Sequence, residues 1–148
     1  PADAAAELKM AEYFAAMAGG EGAPVGSIEV LGREIPTLRR GNGVIWFDFK
    51  SLCGGPRSQN DYLELARGYH TVLLSAIPRM SASMSSEARR FTWLVDIFYD
   101  HKVKLIATAD CGPEGLYTQG TQASEFFRTA SRLTEMRSRE YLGLPHLS

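Results

Sequence analysis

The sequence predicts an α/β fold: a small antiparallel ribbon followed by a parallel βαβ unit with flanking helices. Three observations carry this. Between 27 and 49, β-branched and aromatic runs are broken by Gly32 and by Gly41-Asn42-Gly43, the punctuation of short strands joined by turns. The runs Thr71-Val72-Leu73-Leu74 and Val103-Lys104-Leu105-Ile106-Ala107-Thr108 are short and apolar, as buried strands are. Between them lies a stretch of helical period, and a strand–helix–strand passage of that length makes a right-handed parallel crossover.

From the start of the chain, residues 3–18 carry apolar groups at helical spacing, with Leu8, Tyr13, Phe14 and Met17 sharing much of one face. Gly19-Gly20-Glu21-Gly22-Ala23-Pro24 ends that helix as a linker, so residues 1–24 form a helical arm and 25–148 one α/β region. A single antiparallel ribbon is expected over 27–49. Ser58 can N-cap the next helix, with Asp61 in its first turn where negative charge suits the dipole. Tyr62, Leu65, Ala66 and Tyr69 make its apolar stripe. Pro78 closes the strand that follows. Ser85 or Ser86 opens a second helix whose buried face is Ala88, Phe91, Leu94, Val95 and Phe98. A last helix is expected from about 124 to 142.

Composition bounds the function. The 148 residues are the size of one domain and can bury a core without staples. A formal net charge of −1 gives no global pull toward nucleic acid or an anionic membrane. No run approaches the roughly 20 apolar residues of a membrane span. The Ala-rich start lacks the basic leader of a secretion signal, and Pro1 in place of methionine fits a processed chain or one portion of a longer polypeptide. Cys53 and Cys111 have no CxxC partner, and His70, His101 and His146 lack metal-ligand spacing. Reduced thiols are expected. Trp46 and Trp93 read as core aromatics.

The runs Phe47-Asp48-Phe49-x-x-Leu52-Cys53-Gly54-Gly55-Pro56-Arg57-Ser58-Gln59-Asn60-Asp61-Tyr62, Tyr69-His70-Thr71-Val72-Leu73-Leu74, Glu87-Ala88-Arg89-Arg90-Phe91, Tyr99-Asp100-His101-Lys102-Val103-Lys104-Leu105 and Phe127-Arg128-Thr129-Ala130-Ser131-Arg132-Leu133, the last followed by Glu135-Met136-x-Ser138-x-Glu140-Tyr141-Leu142, occur in this order. Together they resemble the C-terminal region of the ZapE/Afg-type family of AAA+ ATPases. The resemblance implies ATP hydrolysis with Mg²⁺ in the full-length protein, coupled to action on protein partners in cell division or protein quality control. It implies a bacterial cytoplasmic protein, with the mitochondrial matrix as the family alternative. Self-association and peripheral membrane contact through division machinery would follow from the same source. Nucleic acid is not among the expected partners.

The catalytic parts are incomplete in these residues. A P-loop needs Gly-x-x-x-x-Gly-Lys-Ser/Thr, whose main-chain N–H groups and lysine cradle phosphates, and no such run occurs. No cofactor is therefore expected for this chain alone. The unit 71–110 has the layout of a Walker B strand, a helix and a sensor strand. The strand ends in Ser75-Ala76, where relatives are expected to carry an acid at 76. Neither side chain can do the work of the carboxylates with which a Walker B strand holds Mg²⁺ and orients water.

Five arginines are the candidate site residues, as arginine finger or sensor. Arg57 sits in a turn leading to a helix N-terminus, where free N–H groups favour anions; it reads otherwise as a surface residue. Arg89 and Arg90 share a first helical turn but point about 100° apart, so one would reach a neighbouring nucleotide and the other pair with an acid. Arg128, Arg132, Glu135 and Arg139 form one stripe, either a sensor or contact face or a solvated face with internal Arg–Glu pairs. Phe127, Ala130 and Leu133 would pack on other faces. The alternative to an ATPase portion is a catalytically silent module for protein–protein interaction.

Overall fold

The computed structural model describes residues 4–147, with side chains as far as Met136. Helix α1 (Ala4–Ala18) leads to strands β1 (Gly26–Val30) and β2 (Arg33–Thr37), then β3 (Arg39–Gly41) and β4 (Val44–Asp48). Helices α2 (Phe49–Cys53) and α3 (Gln59–Gly68) precede β5 (Thr71–Ile77), α4 (Ser85–Asp100) precedes β6 (Lys104–Ala109), and α5 (Phe126–Leu147) closes the chain. The mixed α/β class is the one the sequence predicts.

The expected single ribbon over 27–49 is in fact two hairpins in two sheets. β1 and β2 pair only with each other, antiparallel. β3 and β4 form a second antiparallel pair, and β4 runs parallel to β5 and β5 to β6, in the order β3-β4-β5-β6. The reason lies in burial. Val44, Ile45, Trp46 and Phe47 are buried in succession, the pattern of a strand covered on both faces rather than of a solvated ribbon.

Alternation within these strands builds two cores. Ile45, Phe47, Val72, Leu74 and Leu105 point to the face covered by α2, α3 and α4. Val44, Trp46, Leu73 and Ile106 point to the other face, where Met10, Phe14 and Ala18 of α1 pack. The predicted helix at 3–18 thus lies on the sheet, but through the i, i+4, i+8 set 10, 14 and 18. Leu8, expected inward, is 69% exposed, because α1 rests on the sheet along that narrower stripe. The predicted face of α4 is buried as expected, with Ala88, Phe91, Leu94, Val95 and Phe98 all inside.

Strand order sets where chemistry can sit. Open parallel sheets bind ligands where the order reverses. Here β4, β5 and β6 follow one another without reversal, with both crossovers on one face, so the described residues contain no such switch point. No helix among them is long and apolar enough to cross a membrane.

Candidate functional site

The five candidate arginines divide by what their guanidinium groups already hold. Arg57 does not face the N-terminus of α3. It donates from Nη2 to the Ser51 carbonyl at 2.6 Å and from Nη1 to the Pro56 carbonyl at 2.7 Å. Arg90 donates from Nε to the Cys53 carbonyl at 2.6 Å. Both side chains therefore bind carbonyls at the end of α2, a five-residue helix that cannot satisfy them itself. Of Arg89 and Arg90, one of which is expected to pair with an acid, Arg90 meets this negative helix end instead. The N-terminus of α3 is served by its own residues instead: the Ser58 main-chain N–H donates to Asp61 Oδ2 at 2.8 Å, the capping role the sequence gives that pair.

Arg132 is engaged too. It pairs with Asp96 on α4 and lies over the Tyr99 ring, 5.1 Å from its centroid. Tyr99 donates its hydroxyl to Glu135 at 2.8 Å, and Thr129 donates to Thr92 at 3.3 Å. These contacts join α4 and α5 in a ladder of near-constant offset. The middle of the charge stripe on α5 thus binds α4. Arg139 lies beyond the described side chains. Phe127, expected to pack, is 66% exposed, and its neighbour Phe126 is the buried ring, against Phe91 and Tyr117. Ala130 is buried as expected.

Arg89 and Arg128 are left. Both are exposed, and neither makes a hydrogen bond or ion pair among the described residues. Arg89, the fifth residue of α4, borders a cleft of about 100 Å³ against the start of α5, lined also by Thr92, Trp93, Gln122, Glu125 and Thr129. Trp93, read as a core aromatic, is only half-buried at this rim. Trp46 is buried as predicted.

The end of β5 has a structure the sequence did not reveal. Register slips by one residue between Leu74 and Ile77, a bulge that leaves Ser75 and Ala76 opposite Thr108. Ala76 takes φ of 64°, a left-handed conformation that Gly, Asn and Asp adopt more readily than Ala. Its N–H donates to Thr108 Oγ1 at 2.9 Å. Ser75 accepts from Trp46 Nε1 at 2.7 Å and donates to Glu7 of α1 at 3.0 Å. No sequence signal ties residue 7 to residue 75; only the docking of α1 brings them together. This strand end does not fit a Mg²⁺ centre, because Glu7 is bonded to Ser75 and the carboxylate opposite Ser75, Asp48 of β4, caps α2 by accepting the Ser51 N–H at 2.7 Å. Among the described residues no three acids, histidines or cysteines gather as metal ligands.

Cys53 is fully buried beneath the two arginine-capped carbonyls, with the Tyr62 hydroxyl 3.7 Å from Sγ. Burial pushes its thiol up to about 12, against the weaker pull of Tyr62, Arg90 and Arg57. Such a thiol is no nucleophile near neutral pH.

Fold and arginines together define a parallel α/β module with cations near its helix starts and no carboxylate at the Ser75-Ala76 end of β5. The chain belongs to the AFG1-like ATPase family, whose model matches residues 1–145. It is 40% identical over 140 residues to the cell division protein ZapE of Escherichia coli K12, covering 95% of this chain and 37% of that protein. It is 37% identical over 109 residues to lactation elevated protein 1 homolog B of Danio rerio, covering 74% of this chain and 22% of that one. The chain thus spans little more than a third, or less, of the length of these curated relatives. No solved structure matches.

Proposed function

We propose that these residues serve as the C-terminal portion of an ATP-hydrolysing AAA+ protein that acts on protein partners, and that Arg89 and Arg128 are its nucleotide-facing groups. ATP and Mg²⁺ would be held outside the residues described here. The observation that supports this is the division of the arginines: three are bound to this chain's own carbonyls, acid and ring, while Arg89 and Arg128 stand exposed without partners. A guanidinium kept free on a rigid helix start can meet the charge that develops on a transferring phosphoryl group, and costs nothing in broken pairs when it does so. The bacterial relative named for cell division supports a division role, and a bacterial cytoplasmic setting is what the family resemblance implies. Quality control in the mitochondrial matrix is the family alternative.

The test is steady-state ATP hydrolysis by a chain that carries both this region and a P-loop. Arg89→Ala or Arg128→Ala should lower kcat by about 10³-fold if the side chain acts as a finger. Unchanged kcat for both would end this assignment. The second reading, a silent interaction module, is favoured by Ala76 at the strand end. It predicts that the 148 residues bind protein with no dependence on nucleotide.

A further inference from the structure

We infer that the free edge of β6 is an interface between two copies of this chain, joined antiparallel about a two-fold axis at Ala107. The inference does not depend on the nucleotide reading. The four-stranded sheet ends in β3 on one side and in β6 on the other. The β3 edge is occupied at Arg40, which exchanges main-chain hydrogen bonds of 2.8 and 3.3 Å with Ala23. Among the described residues no main-chain group pairs with the β6 edge.

Two bonds fix which groups point outward. Lys104 donates its N–H to the His70 carbonyl at 3.0 Å, and Asp110 donates its N–H to the Ile77 carbonyl at 3.0 Å, one at each end of the strand. In a parallel ladder alternate residues bond the same neighbour, so the N–H and C=O groups of Leu105, Ala107 and Ala109 face away from β5. None of these groups has a partner among the described residues. The helix layer stops short of them. Odd positions share the face of Leu105, which clusters with Phe98 of α4 and Met136 of α5, yet Ala107 on that face is exposed. From Leu105 to Ala109 the strand carries no charge and no proline, the devices that commonly keep an exposed edge single.

The occupant follows from the two ends of the strand. Outward groups must meet outward groups, so a two-fold antiparallel pairing sets odd positions against odd positions. Centred on Ala107, it sets Leu105 against the partner's Ala109 and Lys104 against the partner's Asp110, and symmetry repeats each contact. Lys104 and Asp110 then share one face in a non-bonded pair, where Cβ atoms come within about 5 Å. Neither makes an ion pair among the described residues of its own chain. The neighbouring registers lose this match. One sets Lys104 against Thr108 and Asp110 against Lys102, which at φ of 58° has left the strand. The other sets Ile106 against Asp110. A strand positive at its start, negative after its end and uncharged between complements a reversed copy of itself. The small Ala107 and Ala109 leave room for the two helix layers to meet.

The test is sedimentation equilibrium of the 148-residue chain from micromolar to millimolar concentration, which should show a monomer–dimer equilibrium weakened by salt. Lys104→Asp sets like charges opposite each other and should raise the dimer dissociation constant by about tenfold. Adding Asp110→Lys to that variant restores opposite charges and should restore the dimer. Ala107→Pro removes an N–H that the single chain does not use, a substitution edge strands tolerate, and should leave a folded monomer. Amide exchange read by NMR should slow at Leu105, Ala107 and Ala109 as concentration rises, while Lys104 stays slow throughout, which reads the interface even if Ala107→Pro does not fold. The proposal is overturned by a monomer at every concentration, by a dimer that Lys104→Asp does not weaken, by a double variant no better than the single one, or by concentration-dependent protection elsewhere. In a chain that also carries a P-loop, protection of Ala107 without dimerisation would make the rest of the polypeptide the occupant and would overturn it too.

Discussion

Arg90 Nε lies 2.6 Å from the carbonyl of Cys53, so a side chain of α4 closes the end of α2. This contact, with the Arg57 bond to Ser51, holds the turn between α2 and α3 against the helix layer. Charged hydrogen bonds of this kind contribute about 1.5–3 kcal/mol. Arg90→Ala should therefore lower stability by roughly that amount in urea unfolding, while Arg89→Ala, exposed and unbonded, should change it by less than about 0.5 kcal/mol. Equal losses for the two neighbours would contradict the division of roles.

Cys53 gives that region a pH dependence. The unfolded thiol loses its proton near 9.0 and the folded one near about 12. The folded state thus holds the proton longer, so the unfolded state binds fewer protons between those values and stability falls as pH rises through them. Tyr62, raised by the same burial, acts in the same direction. The Cys53 part is fully present below pH 9 and declines by at most about 1.4 kcal/mol per pH unit above it. Urea midpoints measured from pH 8 to 11 should fall, and Cys53→Ala should make the fall shallower. Parallel slopes for the two chains would remove Cys53 as its source.

Ala76 is strained where it stands. A left-handed alanine costs about 1–2 kcal/mol relative to its preferred regions, whereas glycine adopts φ of 64° freely. Part of that gain is returned through the greater entropy of unfolded glycine. Ala76→Gly should stabilise by about 0.5–1 kcal/mol in thermal or urea unfolding. No gain would mean that the bulge relaxes around alanine. The bulge also gives a conformational reason for the acid expected at 76 in relatives, since Asp tolerates this region better than Ala.

The parallel unit was legible because burial on both faces writes itself as unbroken apolar runs, and the α4 face because five apolar residues kept helical phase. β4 was misassigned to the ribbon because a two-turn hairpin pattern says nothing of which neighbour a strand takes. The arginines were found by type and place, yet their engagement was hidden. The partners of Arg57 and Arg90 are main-chain carbonyls, which carry no residue signature. The α4–α5 ladder did leave one trace: Asp96 and Tyr99 share the three-residue spacing of Arg132 and Glu135, so both pairs can meet if the helices run alongside.

That ladder makes the last prediction. Arg132 and Asp96 are 25% and 39% exposed, so solvent weakens their attraction, and a double-mutant cycle to alanine should give a coupling of about 0.5–1 kcal/mol. Added salt should reduce it. The Tyr99 ring adds a term that charge alone does not supply, because a planar guanidinium stacks on a ring where an ammonium does so less well. Arg132→Lys should therefore keep the salt-sensitive coupling to Asp96 but lose most of the coupling to Tyr99, measured in a second cycle with Tyr99→Leu. If lysine retained both, position 132 would need only a positive charge, and the stacked geometry would contribute nothing to holding α5 on α4.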